Sequence, residues 1–444
     1  MPPPPTTAPP PRVDVDARGE MPVARSGGAL TVLHSARPHE RWAQRTIVGR
    51  AVEAWRLWID PSGKWAGERL DESGSIVTTQ RFTEPFEVLA KVSESGSVWA
   101  GYVGYEAGRS LEGDLDAGRD TLGWPVLQVQ RLEDVEEFDA GPLPAKVLGA
   151  QGDWRAGEMR TSMDEAAYSV RVRTIIEAIR RGDLFQTNLT YHLDAEFEGC
   201  ARAFYADLVK QSPAWFGGLV ELLGPEDEPS RVLTSISPEL FLEFQGPNVT
   251  TRPIKGTASA SNERSLLTSE KDAAELNMIV DVLRNDLGRS AHIGSVRVQQ
   301  NRHTESHPTI SHAVATVTAA LRNNVSWVEA MRLASPGGSI TGAPKIQAMK
   351  LIDHLEPDWR GPYCGSMGYV SGDRACWNIA IRTAAITQDR RTRRGTLRYG
   401  VGGGIVADSD PAAEWQETLL KAEALKATLR AAKASQPQEV AHRG

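Results

Sequence analysis

The sequence predicts a large α+β protein, because strand patterns, a hairpin signal and an amphipathic helix all occur along the chain. Between residues 30 and 127, short apolar runs alternate with Gly, Asp and Pro turns, which is typical of strands. Gly246-Pro247-Asn248 separates two further strand-like runs and predicts an antiparallel hairpin. A helical stripe follows Ser162 and Glu165, which have capping-box spacing. The stripe consists of Tyr168, Val172, Ile175, Ile176 and Ile179.

Composition and charge indicate a soluble globular protein. The chain has 444 residues, of which 40% are hydrophobic, and a net charge of −7. No Lys/Arg cluster has the density of a nucleic-acid site, and no apolar run approaches the roughly 20 residues that span a bilayer. The cysteines Cys200, Cys364 and Cys376 form no Cys-x-x-Cys motif, which fits a reducing compartment. We therefore expect a cytoplasmic protein without nucleic-acid or membrane partners.

The chain is expected to contain two folded parts between two tails. Residues 1–28 are Pro-rich with little apolar content, which predicts a disordered tail without a secretory signal, and residues 433–444 form a second tail. Residues 29–135 are predicted to be a β-rich subdomain. Residues 136–160, which are acidic and contain Pro and Gly, suit a linker. Residues 161–432 form the larger C-terminal domain.

The predicted hairpin brings together two residues with complementary chemistry. If Gln245 pairs with Val249, Glu239 lies directly opposite Lys255, with Cβ atoms roughly 5 Å apart. A potential proton donor and a potential amine nucleophile then face one spot. For an arbitrary hairpin, such a pair is more often an ordinary ion pair.

A strand predicted over residues 184–193 has one polar face. Gln186, Asn188, Thr190 and His192 alternate with Phe185, Thr187, Leu189, Tyr191 and Leu193. A half-polar strand faces either water or a ligand pocket, and this pattern alone does not separate the two.

Two predicted helices carry carboxylates suited to a metal. Glu275 shares a face with apolar residues, and burying it requires a cation or a metal. Residues 408–411 form a helix start, after which Glu414 and Glu417 lie on one face. Carboxylates from two helices are ligands that Mg²⁺ prefers. On their own, two carboxylates such as Glu414 and Glu417 more often belong to a solvent-exposed helix face. The preceding glycines at 402–404, however, expose backbone N–H groups beside them.

The stretch 336–345 combines glycines with the start of a helix. Thr341 is a possible cap, Pro344 suits a first turn, and residues 346–355 have a helical pattern. The start of this helix therefore predicts an anion site. Ala343-Pro344-Lys345 replaces the Lys-Ser/Thr of a nucleotide-binding phosphate loop, which excludes that motif.

Together these motifs resemble the chorismate-utilising enzymes, a family that includes anthranilate, aminodeoxychorismate, isochorismate and salicylate synthases. The matching stretches are residues 237–239, 253–257, 275–281, 284–288, 336–345 and 402–408. The resemblance runs from about residue 163 to 425, and the N-terminal half matches only loosely, mainly through residues 101–108. It implies two large packed antiparallel sheets flanked by helices, with the chorismate site between them, and makes residues 161–432 the catalytic domain.

The resemblance also assigns roles to individual residues. Glu239 is the general acid that protonates the departing ring hydroxyl. Mg²⁺ is held by Glu275 and Glu417, with Glu414 nearby. Arg382 and Tyr363 bind the carboxylate of the enolpyruvyl group. The ring site is lined by Thr341, His312 and the backbone of Gly402, Gly403 and Gly404. The remaining site positions are Lys255, Gly342 and Gln186.

Several of these positions have an ordinary alternative. Tyr363 also suits a core, and a lone His312 is usually structural. Arg382, which we expect on an apolar strand, is harder to explain that way, because a buried arginine needs an anion.

Two positions divide the family by chemistry. The family members that add water to the ring have a lysine base at the position of Gln186 in this chain. The resemblance therefore disfavours isochorismate and salicylate synthesis. Anthranilate synthases have an alanine at the position of Lys255, whereas aminodeoxychorismate synthases have a lysine there. At this position the chain therefore resembles the aminodeoxychorismate synthases. In those enzymes, a lysine adds to the ring first and ammonia then displaces it, which divides one difficult step into two.

The sequence also predicts a partner for ammonia supply. None of the cysteines lies in the Gly-x-Cys-x-Gly elbow of glutamine amidotransferases, so by resemblance a separate glutaminase subunit provides ammonia. Two alternatives remain open at this stage, namely anthranilate synthesis and a non-catalytic chorismate-binding protein with a regulatory role.

Overall fold

The structure, a computed structural model, describes residues 28–39, 43–60, 62–109, 119–149, 152–259, 270–306 and 310–435. The expected N-terminal tail therefore lies outside the described residues up to position 27, and the expected C-terminal tail does so from position 436. A helix extends to Ser435, so the first residues of the expected C-terminal tail are helical. Within these ranges, no helix has the length and apolarity needed to cross a membrane.

The strands in chain order are β1 Leu30–His34, β2 Arg45–Ile59, β3 Trp65–Leu70, β4 Ile76–Phe82, β5 Trp99–Val103, β6 Leu127–Asp139, β7 Trp154–Ala156, β8 Arg160–Thr161, β9 Gln186–Gly199, β10 Phe216–Leu222, β11 Ser230–Ser237, β12 Leu240–Gln245, β13 Asn248–Arg252, β14 Ile254–Ser259, β15 Arg297–Ser306, β16 Ile310–Ala320, β17 Gly342–Ala343, β18 Ser366–Ser371, β19 Arg374–Asn378, β20 Thr383–Gln388 and β21 Arg394–Ile405. The helices are α1 Glu87–Ser93, α2 Tyr105–Arg109, α3 Ala145–Leu148, α4 Glu165–Arg180, α5 Ala201–Gln211, α6 Glu270–Gly288, α7 Trp327–Ala334, α8 Lys345–Leu355, α9 Pro411–Lys421 and α10 Glu423–Ser435. A short 3₁₀ helix covers Gly338–Ile340.

The strands form a large antiparallel sheet with helices packed on it, which confirms the α+β class. Hydrogen bonds connect the 21 described strands into one network, so the two expected sheets are joined. The longest pairing is between β9 and β21, which run antiparallel from Thr187 opposite Ile405 to Glu198 opposite Arg394. These two strands carry most of the polar and glycine positions that the sequence analysis singled out.

The two predicted parts of the chain share this sheet. Strand β5 pairs with β6 on one side and with β18 on the other, and β1 pairs with both β2 and β10. The segment 136–160, expected to be a linker, contains the end of β6, all of α3 and β7, and β7 pairs with β9. N-terminal strands therefore support the sheet that carries the C-terminal site residues.

The predicted hairpin forms, but its predicted register is wrong. Gln245 pairs with Asn248, not with Val249, and a bulge lies between Leu240 and Glu243. Lys255 belongs to the next strand, β14, where it pairs with Ala313 of β16. Glu239 and Lys255 are therefore not a cross-strand pair, because the bulge and the break before β14 change the alignment.

The helix starts agree only in part with the sequence patterns. Asp410 caps α9 by accepting a hydrogen bond from the Ala413 N–H, and Pro411 occupies the first turn as predicted. The capping box predicted for α4 is wrong, because Asp164 caps this helix instead. The Ser162 hydroxyl accepts a hydrogen bond from His192 N–H at 2.9 Å, which ties the segment before α4 to β9.

A buried ion pair connects the end of α8 to the centre of the sheet. Arg360 and Glu356 are 1% and 5% exposed, and their side chains make two hydrogen bonds of 2.7 and 2.8 Å. Glu356 also accepts from Thr190 N–H of β9, while Arg360 donates to the carbonyl oxygen of Ile340. Removing one partner of such a pair leaves a buried charge without compensation.

We therefore expect Glu356→Gln to lower the free energy of unfolding by about 3–5 kcal/mol. Glu198→Gln is the matched control, because Glu198 pairs with Arg155 at a more exposed site and should change stability by about 1 kcal/mol or less. Urea unfolding monitored by circular dichroism measures both. Equal losses in the two variants would show that the buried pair does not brace the sheet.

Candidate active site

Ser339 links the predicted acid to the predicted nucleophile. Its side chain lies close enough to the carboxyl group of Glu239 to favour the charged form of that group. Its carbonyl oxygen accepts from Lys255 Nζ at 3.4 Å and from Asn188 Nδ2 at 2.9 Å. The acid and the amine thus meet through one residue of the 3₁₀ helix, although they are not paired across a hairpin.

Burial changes the protonation of both groups. It raises the pKa of Glu239 to about 7, although Ser339 and Lys255 oppose that increase. It also lowers the pKa of Lys255, against the attraction of Glu275 and Glu239. Each group therefore has a larger uncharged fraction near neutral pH than in water. A protonated acid beside a neutral amine is suited to nucleophilic chemistry with acid assistance.

The predicted metal-binding carboxylates lie on α6 and α9, around the same amine. Glu275 and Glu417 both attract the charged form of Lys255. Glu414 is 5% exposed and accepts a hydrogen bond of 2.6 Å from the Ser409 hydroxyl. Within the described ranges, no three His, Cys, Asp or Glu side chains already form a metal-binding cluster.

The donor chemistry nevertheless suits a hard cation. Lys421 Nζ lies 2.8 Å from both Glu417 Oε1 and the Gly402 carbonyl oxygen, so oxygen atoms already surround a positive charge here. Carboxylate and carbonyl oxygens are the ligands that Mg²⁺ takes in proteins. Glu275, Glu417 and Glu414 therefore have the donor chemistry of the ion expected from the sequence, and their binding of Mg²⁺ stays a prediction.

The glycines of β21 let side chains approach its backbone. A Cβ atom on Gly404 would lie 2.4 Å from Gln186 Nε2, and one on Gly403 would lie 3.4 Å from Glu414 Oε2. Gly402 pairs with Thr190 of β9, and a Cβ atom on Gly402 would lie 2.5 Å from the carbonyl oxygen of Leu189. These close approaches explain why the stretch contains no side chains.

Two residues predicted to bind a carboxylate lie beside the earlier part of β21. The Tyr363 ring packs directly on Gly400, where a Cβ atom would lie 2.2 Å from it. Arg382 is not on a strand as expected, because it lies between β19 and β20 with a positive φ of 51°. In the described part of the chain, its guanidinium has no hydrogen bond or ion pair, and burial lowers its pKa against the opposing effect of Tyr399. A buried guanidinium without a counter-charge favours the binding of an anion.

The loop before α8 is attached to β9 and does not act as a helix cap. Thr341 is fully buried, its hydroxyl donates to the Gly337 carbonyl oxygen at 2.9 Å, and its own carbonyl accepts from Asn188 N–H. Pro344 is the residue that precedes the helix, so the predicted Thr341 cap is wrong. Gly342 pairs with Thr187, and a Cβ atom there would lie 2.1 Å from the Gln186 carbonyl oxygen.

The polar face of β9 does not face water. Gln186, Asn188, Thr190 and His192 are all buried, at 0%, 8%, 4% and 4% exposure. Of the two alternatives left open by the sequence, a face exposed to water is therefore wrong. His312 lies on β16 opposite Thr257, and its side chain lies outside what the structure describes.

A supporting network was missed by the sequence analysis. Glu106 of α2 accepts hydrogen bonds from the backbone N–H groups of Arg360 and Gly361, and burial raises the pKa of Glu106 to about 7. Gly108 of the same helix packs on Pro336, where a Cβ atom would lie 2.6 Å from the proline nitrogen. The glycine-rich stretch 101–108, of which residues 101–103 are regular strand, therefore lies close to other backbone.

The sequence and the fold of this chain match those of known proteins. A description of the chorismate binding enzyme family matches residues 49–427, and the chain belongs to this family. Aminodeoxychorismate synthase component 1 from Klebsiella aerogenes is 40% identical over 351 residues, which cover 72% of this chain and 74% of that protein. Anthranilate synthase component 1 3 from Haloarcula marismortui is 40% identical over 270 residues, or 59% of this chain and 51% of that one.

The matches do not all extend over whole proteins. A second aminodeoxychorismate synthase component 1, from Salmonella typhimurium, is 38% identical, but the alignment spans only 57% of its length. Among solved structures, anthranilate synthase component I from Streptococcus pneumoniae superposes with a TM-score of 0.70 at 24% identity, covering 88% of this chain and 94% of that one. At that identity the likeness concerns the fold.

The Ser339 contact yields a direct test of the acid. Ser339→Ala removes a hydroxyl that favours the charged form of Glu239. The pKa of Glu239 should therefore rise above its value of about 7, by about half to one pH unit. Infrared difference titration measures it, with Glu239→Gln identifying the carboxyl band.

Ser409→Ala is the control, because its hydroxyl donates to Glu414 and not to Glu239. It should leave the Glu239 midpoint unchanged. If both alanine variants titrate like the wild type, Ser339 does not hold the acid.

Proposed function

We propose that this chain is the chorismate-binding component of an aminodeoxychorismate synthase, which converts chorismate and ammonia to 4-amino-4-deoxychorismate for p-aminobenzoate synthesis. The observation that supports this most is the presence of Lys255 beside the buried acid Glu239, both on Ser339. Membership of the family supports chorismate as the substrate. The names of the Klebsiella and Salmonella relatives favour amination over hydration.

In the first step, the neutral Lys255 amine attacks the ring carbon next to the carboxylate-bearing carbon. Both ring double bonds shift, and the C–O bond to the ring hydroxyl breaks. Glu239 gives its proton to this hydroxyl, which leaves as water, because hydroxide is a poor leaving group. The products of the step are a Glu239 carboxylate and a positively charged secondary amine on the ring.

In the second step, ammonia attacks the carbon that lost the hydroxyl. The double bonds shift back, and the pair of electrons in the Lys255–ring bond returns to Nζ, which restores the neutral lysine. The new ring ammonium gives one proton to Glu239, which restores the acid. The sum is chorismate plus ammonia giving aminodeoxychorismate plus water, with two easier displacements in place of one.

The remaining residues bind and orient the substrate. Mg²⁺, held by Glu275 and Glu417 with Glu414 adjacent, would supply positive charge for the ring carboxylate. Arg382 and Tyr363 would bind the carboxylate of the enolpyruvyl group. His312, Thr341, Gly342 and the backbone of the β21 glycines would line the ring site.

Ammonia is proposed to come from a separate glutaminase subunit. The sequence has no Gly-x-Cys-x-Gly elbow around its cysteines, and relatives are named as a first component, which implies a second. Anthranilate synthesis is the competing activity, because relatives with that name are equally similar in the aligned part. Lys255 distinguishes the two activities, because a lysine nucleophile is not needed if ammonia attacks the ortho carbon directly.

Lys255→Ala should slow formation of the para-amino product, because ammonia must then displace the hydroxyl unaided. Some ammonia should instead enter beside the ring carboxylate, where the lysine side chain is missing, and give the ortho product or its precursor. Liquid chromatography of the reaction products measures both. Glu239→Gln is the reference variant and should lose both routes, because either needs the same proton.

The covalent step itself is visible by mass spectrometry. Chorismate without ammonia should leave an adduct on the peptide that contains Lys255, with a mass equal to chorismate less one water. The adduct is an amine, so it forms without borohydride. Wild-type rates in Lys255→Ala together with no adduct would mean that the lysine only balances the charge of Glu239.

The purified chain should form product from ammonium salts and chorismate, and this activity should disappear when Mg²⁺ is chelated. With glutamine as the nitrogen source, it should form product only after a glutaminase is added. Product formation and glutamate release are measured in parallel. Glutamate released by the chain alone would contradict the assignment of ammonia supply to a partner.

A further inference from the structure

Tyr168 of α4 buries a hydroxyl group that has no hydrogen-bond partner in the described part of the chain. The side chain is 0% exposed. Its ring packs against Tyr191 and Trp415, with ring centroids 5.7 and 5.5 Å away, so the core fixes the position of the hydroxyl oxygen. A buried hydroxyl without a partner destabilises a fold, which indicates that a further polar group binds to it.

The Tyr168 hydroxyl lies beside Gly403 of β21. A Cβ atom on Gly403 would lie 3.8 Å from this oxygen, 3.4 Å from Glu414 Oε2 and 3.7 Å from Lys421 Nζ. The approach is looser than at Gly404, where the nearest distance is 2.4 Å. Three polar atoms therefore border one space about the size of a methyl group.

The carboxylate and the ammonium group at this space are held from their other sides. Glu414 Oε1 accepts a hydrogen bond of 2.6 Å from the Ser409 hydroxyl, and Oε2 is the oxygen that borders the space. Lys421 Nζ lies 2.8 Å from both Glu417 Oε1 and the Gly402 carbonyl oxygen. An ammonium group has three N–H donors, so a third donor remains for this space.

A single water molecule satisfies the three atoms together. Burial and the charge of Glu414 raise the pKa of Tyr168, so its hydroxyl stays protonated and can donate. Water can accept from this hydroxyl and from Lys421, and it can donate to the Glu414 carboxylate. A buried water molecule typically has about three such partners.

We propose that Tyr168 is a positioning residue of the proposed metal site, an inference that rests on the proposed function. A water molecule beside Gly403 connects its hydroxyl to Glu414 and Lys421. Lys421 in turn binds Glu417, so the network reaches both carboxylates of α9. Outer partners that orient carboxylates in this way strengthen the binding of a metal ion. Tyr168 acts through these groups and does not contact the ring.

Tyr168→Phe removes only the hydroxyl group. It should raise the dissociation constant of Mg²⁺ about tenfold, which is the smaller effect expected for loss of an outer partner. Gly403→Ala should have the same effect, because its methyl group takes the place of the water. This methyl group points away from Gln186, which borders Gly404, since successive strand residues face opposite sides. Titration calorimetry with Mg²⁺ in the absence of chorismate measures both.

The double variant distinguishes a shared water from two separate effects. If both substitutions act by removing one water, the variant with Tyr168→Phe and Gly403→Ala binds Mg²⁺ as weakly as either single variant. Separate effects would multiply to about a hundredfold loss of affinity. That result would overturn the inference.

Tyr205→Phe is the matched control. Tyr205 is 1% exposed, and its hydroxyl lies 3.1 Å from Nδ1 of His34 on β1, so this variant also loses a buried phenol hydroxyl. It should lower the melting temperature and leave the dissociation constant of Mg²⁺ unchanged. An equal loss of Mg²⁺ affinity in this control would overturn the inference, because the Tyr168 effect would then be a general loosening of the fold.

The outcomes separate this inference from the proposed function. If the wild type forms no amino product from chorismate, Mg²⁺ and ammonium, the proposed function fails, whatever the affinities of the variants. If the wild type binds no Mg²⁺, the metal assignment fails and the inference with it. If the wild type is active and binds Mg²⁺, but Tyr168→Phe and Gly403→Ala bind it with the same affinity as the wild type, only the inference is overturned.

Discussion

The buried residue Ser339 brings together the acid and the amine that the proposed chemistry needs. Its side chain favours the charged form of the Glu239 carboxyl group, and its carbonyl oxygen accepts hydrogen bonds from Lys255 and Asn188. The neighbouring Ile340 carbonyl oxygen is bound by Arg360, whose charge is balanced by Glu356. A three-residue 3₁₀ helix is too short to be rigid alone, so this ion pair and the pairing with β9 keep the acid and the amine in register.

Burial explains why these groups suit catalysis and do not simply form an ion pair. In water a glutamate and a lysine would both be charged near neutral pH. Here desolvation raises the pKa of Glu239 to about 7 and lowers that of Lys255. The attraction between their charged forms opposes both changes, so the two titrate as a coupled pair. The fraction in which acid and amine are both neutral is the fraction able to react.

The sequence identified candidate residues, but it did not predict their arrangement. The hairpin was recognised from its turn, but the loop is one residue shorter than predicted, because Gln245 pairs with Asn248. A bulge after Leu240, which carries no compositional signal, shifts the register again, so the Glu239–Lys255 contact was argued on the wrong alignment. Ser339 was missed because a serine between glycines and an isoleucine has no distinctive pattern. Its partners come from β9, β14 and the residue before β12, and contacts so distant in sequence become visible only in the fold. The Mg²⁺ ligands and His312 stay predictions.

The most direct test of the central claim is identification of the product formed from chorismate, Mg²⁺ and ammonium by the purified chain. Chromatography against authentic standards separates the para-amino compound from the ortho compound and from hydrated isomers. A mechanism through Lys255, with ammonia delivered to the carbon that loses the hydroxyl, predicts 4-amino-4-deoxychorismate as the main product. Anthranilate or its precursor as the main product, formed equally well by Lys255→Ala, would contradict it.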